Sequence, residues 1–245
     1  MNDGRAPDAR YELDEAMLRL WGLEATRRRG PKPALNVQMI VDATLELADT
    51  QGLAGVSMAS VGAALHCTSM ALYRHIASKD ELITLLVDRV AADEPAIPER
   101  LGWREGLRRW TQIQIDGVLA HSWLLDLPLA SIPLGPHRAR WIDQGFAVMR
   151  TLELPMADKG QIIALLSQHV LAEARAHVEI HNAARNPYSD LGQLIHRMAD
   201  PEDLPHLFAA FAEGSTGAGP DAFGIELILD GIAVRVRQKQ RDRKV

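Results

Sequence analysis

Apolar positions recur mostly at three- and four-residue intervals along this chain, the spacing of one face of an α-helix. From Asn36 to Thr50, residues Ile40, Val41, Thr44, Leu47 and Ala48 share one side, with Asn36 placed to cap the start and Gly52 to stop the end. Two very short helices follow. Ser57 is positioned to cap Met58–Leu65 and Thr68 to cap Ser69–His75, with His66-Cys67 as the turn between them. The next helix opens on Ser78-Lys-Asp-Glu81, the spacing of a capping box, and runs to Val90 with Leu82, Leu85, Leu86 and Arg89 in step. Upstream, Tyr11 to Ala25 reads as a short helix with Leu13, Met17, Leu18, Leu20 and Trp21 on its apolar side. Beyond Gly102, helices are expected near 103–120, 137–153, 156–184, 189–199, 203–213 and 221–238, with loops at Leu127–Pro136 and Gly214–Pro220. No strand–turn–strand signal and no solenoid period interrupts them. The predicted fold is all-α.

Breaks in this periodicity divide the chain. Residues 1–35 form an N-terminal extension ending in the basic arm Arg27-Arg-Arg-Gly-Pro-Lys-Pro33, and Pro95 to Pro98 mark a boundary. Between them, 36–83 makes a three-helix module whose following helix continues to about residue 94; 99–238 is a larger helical body, and 239–245 a basic tail. Apolar residues at 47% and charged residues at 24% give an ordinary globular balance that excludes wholesale disorder. One cysteine, Cys67, excludes an intrachain disulfide and any multi-cysteine cluster, and it reads as a small core residue of the turn. The start lacks an apolar signal core and no run reaches membrane-span length, so a soluble, cytoplasmic chain without a membrane partner is expected.

Charge sharpens the division. Residues 27–79 hold six Lys/Arg against three Asp/Glu, whereas 80–234 hold twelve against twenty-two, and the last eleven residues six against one. A positive segment on an acidic body suits a nucleic-acid module, because only the part facing phosphate must be positive.

The short helices need support. Asn36–Leu65 supplies it, with Val61, Leu65, Leu72 and Ile76 closing a small core. Ser69, Ala71, Tyr73, Arg74 and His75 then stay on the other side of the second short helix, the geometry of a helix-turn-helix whose second helix enters a major groove. The run Val56–Leu82, above all Leu72-Tyr-Arg-His75 followed by Lys79-Asp-Glu-Leu82, resembles the DNA-binding signature of the TetR family of bacterial transcription regulators. Trp123-Leu-Leu-Asp-Leu-Pro128, Pro133-Leu-Gly-Pro136 and Phe223-Gly-Ile-Glu-Leu-Ile-Leu-Asp-Gly231 resemble its tetracycline-repressor-type C-terminal domain. The resemblance implies that Ser57 caps a helix and binds phosphate, that Ser69, Met70, Ala71 and Arg74 face bases, and that Tyr73, His75 and Lys79 meet the DNA backbone. Two positions depart from the family pattern: His66 stands where a turn glycine is usual, and Ala59 where a long basic residue is frequent.

The same resemblance implies that the acidic body dimerises and holds an unknown small-molecule effector, so that a homodimer binds a palindromic operator in double-stranded DNA and acts as a repressor rather than an enzyme. The helix from Met156 and the helix from Asp221, with Phe223, Leu227, Ile228, Ile232 and Val236 at helical spacing, are the candidate dimer surface. Trp110, Ile113, Gln114, Gly117, Trp141 and Phe146 are candidates to line an apolar effector cavity. His169, Glu173, His177 and His181 recur every fourth residue. His169 and Glu173 are candidate effector contacts, on a polar stripe that lines a cavity or faces water. His177 and His181 have the spacing of two metal ligands without a third, so no metal and no cofactor is expected. The competing reading is a helical metalloenzyme or small-molecule-binding protein centred on Glu173, His177 and His181.

Overall fold

The computed structural model describes residues 15–23, 35–128, 132, 134–182, 187–212 and 223–242. The expected basic arm Arg27–Pro33 and the glycine-rich loop Gly214–Pro220 lie outside these residues. All regular structure among the described residues is helical, and none of the helices is long and apolar enough to cross a membrane. Two compact units are present: residues 1–94 with 128–141, and residues 95–127 with 142–245. The segment 128–141, which sequence periodicity attaches to the larger helical body, thus clusters with the first unit.

In the first unit, α1 (Glu15–Leu20), α2 (Val37–Gln51), α3 (Met58–Ala64), α4 (Ser69–Tyr73) and α5 (Lys79–Val90) surround one small core. Asn36 caps α2 by accepting from the Met39 amide at 3.0 Å, and Ile40, Val41, Thr44 and Ala48 are buried. The buried Thr44 hydroxyl is satisfied by donating to the Ile40 carbonyl at 2.7 Å. Val56, Val61, Leu72, Ile76, Leu82 and Leu86 complete the core, whereas Leu65 is only half-buried.

Helices α3 and α4 meet closely because position 62 is glycine. A Cβ there would sit 2.8 Å from the Cys67 carbonyl oxygen and 3.4 Å from the Ser69 amide nitrogen, both backbone atoms with no room to move. The Gly62 carbonyl in turn accepts from the Cys67 amide at 2.8 Å. The chain reverses through His66, whose φ of 53° makes it the one non-glycine residue at positive φ among the described residues. α4 is shorter than the expected Ser69–His75: it ends at Tyr73, with Arg74 as its C-cap.

Two caps differ from expectation. At Ser57 a full capping box forms with Ser60, each side chain accepting from the other residue's amide, at 3.0 and 2.9 Å. At Ser78 only half of the predicted box forms. Ser78 accepts from the Glu81 amide at 3.0 Å, but Glu81 reaches past Ser78 to accept from the Ala77 amide at 2.6 Å. Arg89, in step with the apolar row of α5, ion-pairs with Asp42 at 3.1 Å and Asp93 at 2.5 Å instead of entering the core.

The second unit contains α6 (Trp103–Ala120), α8 (Met156–Asn182), α9 (Pro187–Met198), α10 (Pro205–Ala212) and α11 (Phe223–Asp242). Helix α7 (Pro136–Val148) gives Pro136–Trp141 to the first unit and Ile142–Val148 to the second. α6 and α8 form the main packed pair, with Leu107, Trp110, Leu166, Val170 and Ala174 buried. The wholly buried Trp110 ring lies over Gly145 of α7, where a Cβ would come within 3.0 Å of the ring and 2.5 Å of Ile163.

Replacing Gly62 by Ala is expected to destabilise the first unit by about 1–3 kcal/mol, because the added methyl meets immobile backbone. Denaturant unfolding followed by circular dichroism checks this; an unchanged midpoint would mean the α3–α4 approach is looser than described.

Candidate nucleic-acid interface and effector region

A five-residue helix has no independent stability, so α4 exists only because its neighbours hold it. Thr68 caps it by accepting from the Ala71 amide at 3.3 Å, and Leu72 and Ile76 anchor its inner side with no exposure. The outer side then carries exposed Met70, Tyr73 and Arg74, with half-buried Ser69, Ala71 and His75 at its margin. Lys79, at the start of α5, and Ser57, at the start of α3, are exposed. These residues lie on α4, just beyond its end, or at the starts of α3 and α5. Ser69 is partly occupied inward: its hydroxyl donates to the Met58 carbonyl at 3.3 Å.

Asp88 is a buried carboxylate to which sequence spacing assigned no role. It lies at the end of α5 and accepts from the His137 and Arg138 amides at 3.1 and 3.0 Å, while its other oxygen lies 2.9 Å from His137 Nδ1. It thus caps the N-terminus of α7 from 49 residues away, where a negative charge suits the helix dipole. Pro136 in the first helical position was the local sign that a cap was needed, but its partner is not local. Burial lowers the pKa of the Arg138 guanidinium from its ordinary value, and Asp88 opposes that shift.

The candidate effector residues separate in the second unit. Trp110 and Ile113 are core residues, and the Gln114 amide turns back to donate to the Trp110 carbonyl at 3.3 Å. Trp141 is buried and clusters with the first unit. Thr111, missed by spacing, is buried with a hydroxyl that has no hydrogen-bond partner among the described residues. On α8, His169 is half-buried against Gly224 of α11, and Glu173 is half-buried one turn on. The His177 and His181 rings stack with centroids 6.0 Å apart, and no third side chain joins them in a ligand set among the described residues.

α11 is fixed to α6 by charge. Glu226 accepts from Arg104 and Arg108, each at 2.6 Å; Arg104 also reaches Asp230 at 2.7 Å, and Arg108 pairs with Glu105. The hydrogen bonds from Arg108 and then Arg104 pull the Glu226 carboxyl down to about 2. The apolar row expected along α11 divides between two sides. Within that row Ile232 is buried and Ile228 and Val236 half-buried, whereas Phe223 and Leu227 are exposed; outside it, Leu229 is buried and Val234 exposed, as are Met156 and Leu165 of α8.

Comparison with known proteins places this architecture. Residues 40–86 match the family model described as bacterial regulatory proteins of the tetR family, and residues 94–236 match the tetracyclin repressor-like C-terminal domain. The chain belongs to the TetR family. That membership makes it a DNA-binding transcriptional regulator. A TetR-family relative, the HTH-type transcriptional repressor DrrR1 of Streptomyces coeruleorubidus, is 28% identical over 232 residues, spanning 90% of this chain and 86% of the relative. The fold is similar to apo ActR from Streptomyces coelicolor, with a TM-score of 0.73 and 24% identity over 85% of this chain and 99% of that one. ActR solved in complex with actinorhodin gives a TM-score of 0.74 and 25% identity over 84% and 99% of the two chains. The turn before α4 calls for a left-handed residue, and His66 adopts that conformation with φ 53° where the family pattern has glycine.

A carboxyl held below its ordinary value of 4.5 adds stability above that value and loses it as pH falls toward about 2. Glu226→Gln is therefore expected to lower the denaturation midpoint at pH 7, with the difference from the wild type shrinking as pH drops from about 4.5 toward 2. A difference independent of pH over that range would remove the carboxylate from the account.

Proposed function

We propose that two copies of the chain present their α4 helices to the two halves of a palindromic operator, and that an effector held in the second unit controls the population able to do so. In this reading Met70, Ala71 and Arg74 face base edges, Ser69 lies at their margin, and Ser57, Tyr73, His75 and Lys79 contact phosphates. The observation that carries it is the division of α4 itself: Leu72 and Ile76 fully buried, Met70, Tyr73 and Arg74 exposed. Exposed Leu227 and Val234 of α11, together with exposed Leu165 of α8, support self-association of the second unit. ActR, a similar protein, was solved with actinorhodin; this supports an organic small molecule as effector here, with Gln114, Thr111, His169 and Glu173 as its polar contacts around Trp110 and Ile113. Trp141, clustered with the first unit, is left out of that set. Family membership supports regulation of transcription, rather than an enzymatic step, as the role in this reading.

Selection of bound sequences from a random DNA pool tests this reading and is expected to return an inverted repeat. Lys79→Ala should weaken binding to all duplexes and flatten the salt dependence by about 0.9 in log–log slope, the value for one lost phosphate contact. Tyr73→Ala should weaken operator binding as well, and wild-type affinity in both variants would place the DNA contact elsewhere. Leu227→Glu is expected to convert a dimer to monomers in sedimentation and to lose operator binding with it; a dimer that persists would move the self-association surface off α11.

A further inference from the structure

Helix α1 lies upstream of both regions that match the family models, yet it is fastened to the end of the recognition helix. The Arg19 guanidinium donates through Nη1 to the His75 carbonyl, just beyond the end of α4, and the same nitrogen lies 2.9 Å from Glu81 Oε1. Glu81 Oε2 accepts from the Ala77 amide at 2.6 Å, in the turn that joins α4 to α5. One cation and one carboxylate therefore hold a carbonyl from the recognition-helix end, an amide from the following turn, and the first turn of α5. Glu81 is 5% exposed and Arg19 21%, so the pair is shielded from water and the carboxylate needs its cation. A second tie sits two residues along, where the Trp21 indole donates to the Leu134 carbonyl at 3.1 Å. The Trp21, Gly22 and Leu23 amides close the end of α1 onto Met17, Arg19 and Leu18 carbonyls.

We propose that α1 is a positioning element of the DNA-binding head, in which Arg19 sets the placement of α4 against α5 and so raises affinity for the operator without touching DNA. The inference rests on α4 being the recognition helix, as set out above. The physical need is plain. Leu72 and Ile76 seat only the inner side of this short segment, and base readout demands placement to about 0.5 Å. A cation on the last carbonyls of a helix also suits its dipole. Ordering α4 before it meets DNA lowers the entropic cost of the specific complex. Non-specific binding, which involves phosphates without a fixed base register, gains little from it.

The test uses the full-length protein, an operator duplex selected by the wild type from a random pool, and a scrambled duplex of equal length. Arg19→Ala is expected to weaken operator binding about tenfold, the scale of one mismatched base pair, with scrambled-duplex affinity and salt slope unchanged. Arg19→Lys, which keeps the charge beside Glu81, should recover most of the loss. In the free protein, amide exchange at Ala77 should be faster and the melting temperature lower in Arg19→Ala, with both recovering in Arg19→Lys. Unchanged operator affinity in Arg19→Ala would overturn the proposal. So would a parallel loss on both duplexes with a slope shallower by about 0.9, since Arg19 would then be a phosphate contact. Failure of the underlying reading has a different signature, namely wild-type affinity in Tyr73→Ala and Lys79→Ala.

Discussion

The close approach of α3 to α4 is the constraint on which the DNA-binding head depends. A helix of five residues cannot be stabilised by its own hydrogen bonds, so its position is inherited from what it touches. Gly62 lets the α4 backbone come within van der Waals contact of α3, and Leu72 and Ile76 then enter a core already lined by Ile40, Val61 and Leu86. Because the inner side is so fully used, the outer side is set without further choice: Met70, Tyr73 and Arg74 have nowhere to go but outward. The same logic explains why so small an element can be specific. Its rigidity belongs to the surrounding helices, and α1 adds to it through Arg19 and Glu81.

The second unit solves a different problem. Its helices are long enough to be stable through packing, and Trp110 over Gly145 fills the space between α6 and α7. The charge cluster of Arg104, Arg108 and Glu226 holds α11 to α6 on one side, leaving Leu227 and Val234 on another. These ion pairs are partly exposed, so their value lies more in orienting α11 than in stability. The buried Thr111 hydroxyl and the Gln114 amide on the Trp110 carbonyl are polar features of this otherwise apolar core.

Much of this was legible in the sequence because it is encoded locally. Asn36, Ser57, Thr68 and Ser78 all cap the helices they precede, and the buried residues of α2 and α5 follow the helical period. What escaped was non-local. Glu81 has the spacing for a capping box, yet an arginine from an upstream helix and the Ala77 amide compete for its carboxylate. Asp88 caps α7 across a long stretch of chain, a relation that no window of sequence contains. The α11 row mixed two surfaces because residues facing the core and residues facing outward are both apolar there; only packing separates Ile232 from Leu227. Trp110 and Trp141 looked alike as cavity residues, but the chain assigns them to different units.

Hydrogen–deuterium exchange on the full-length protein, with and without its selected operator duplex, addresses the central claim most directly. The account predicts that amides in residues 57–79 gain protection on DNA binding, most strongly along α4 and at the starts of α3 and α5, while α8 and α11 change little. Protection confined to other segments, with α4 exchanging as fast as in the free protein, would contradict it.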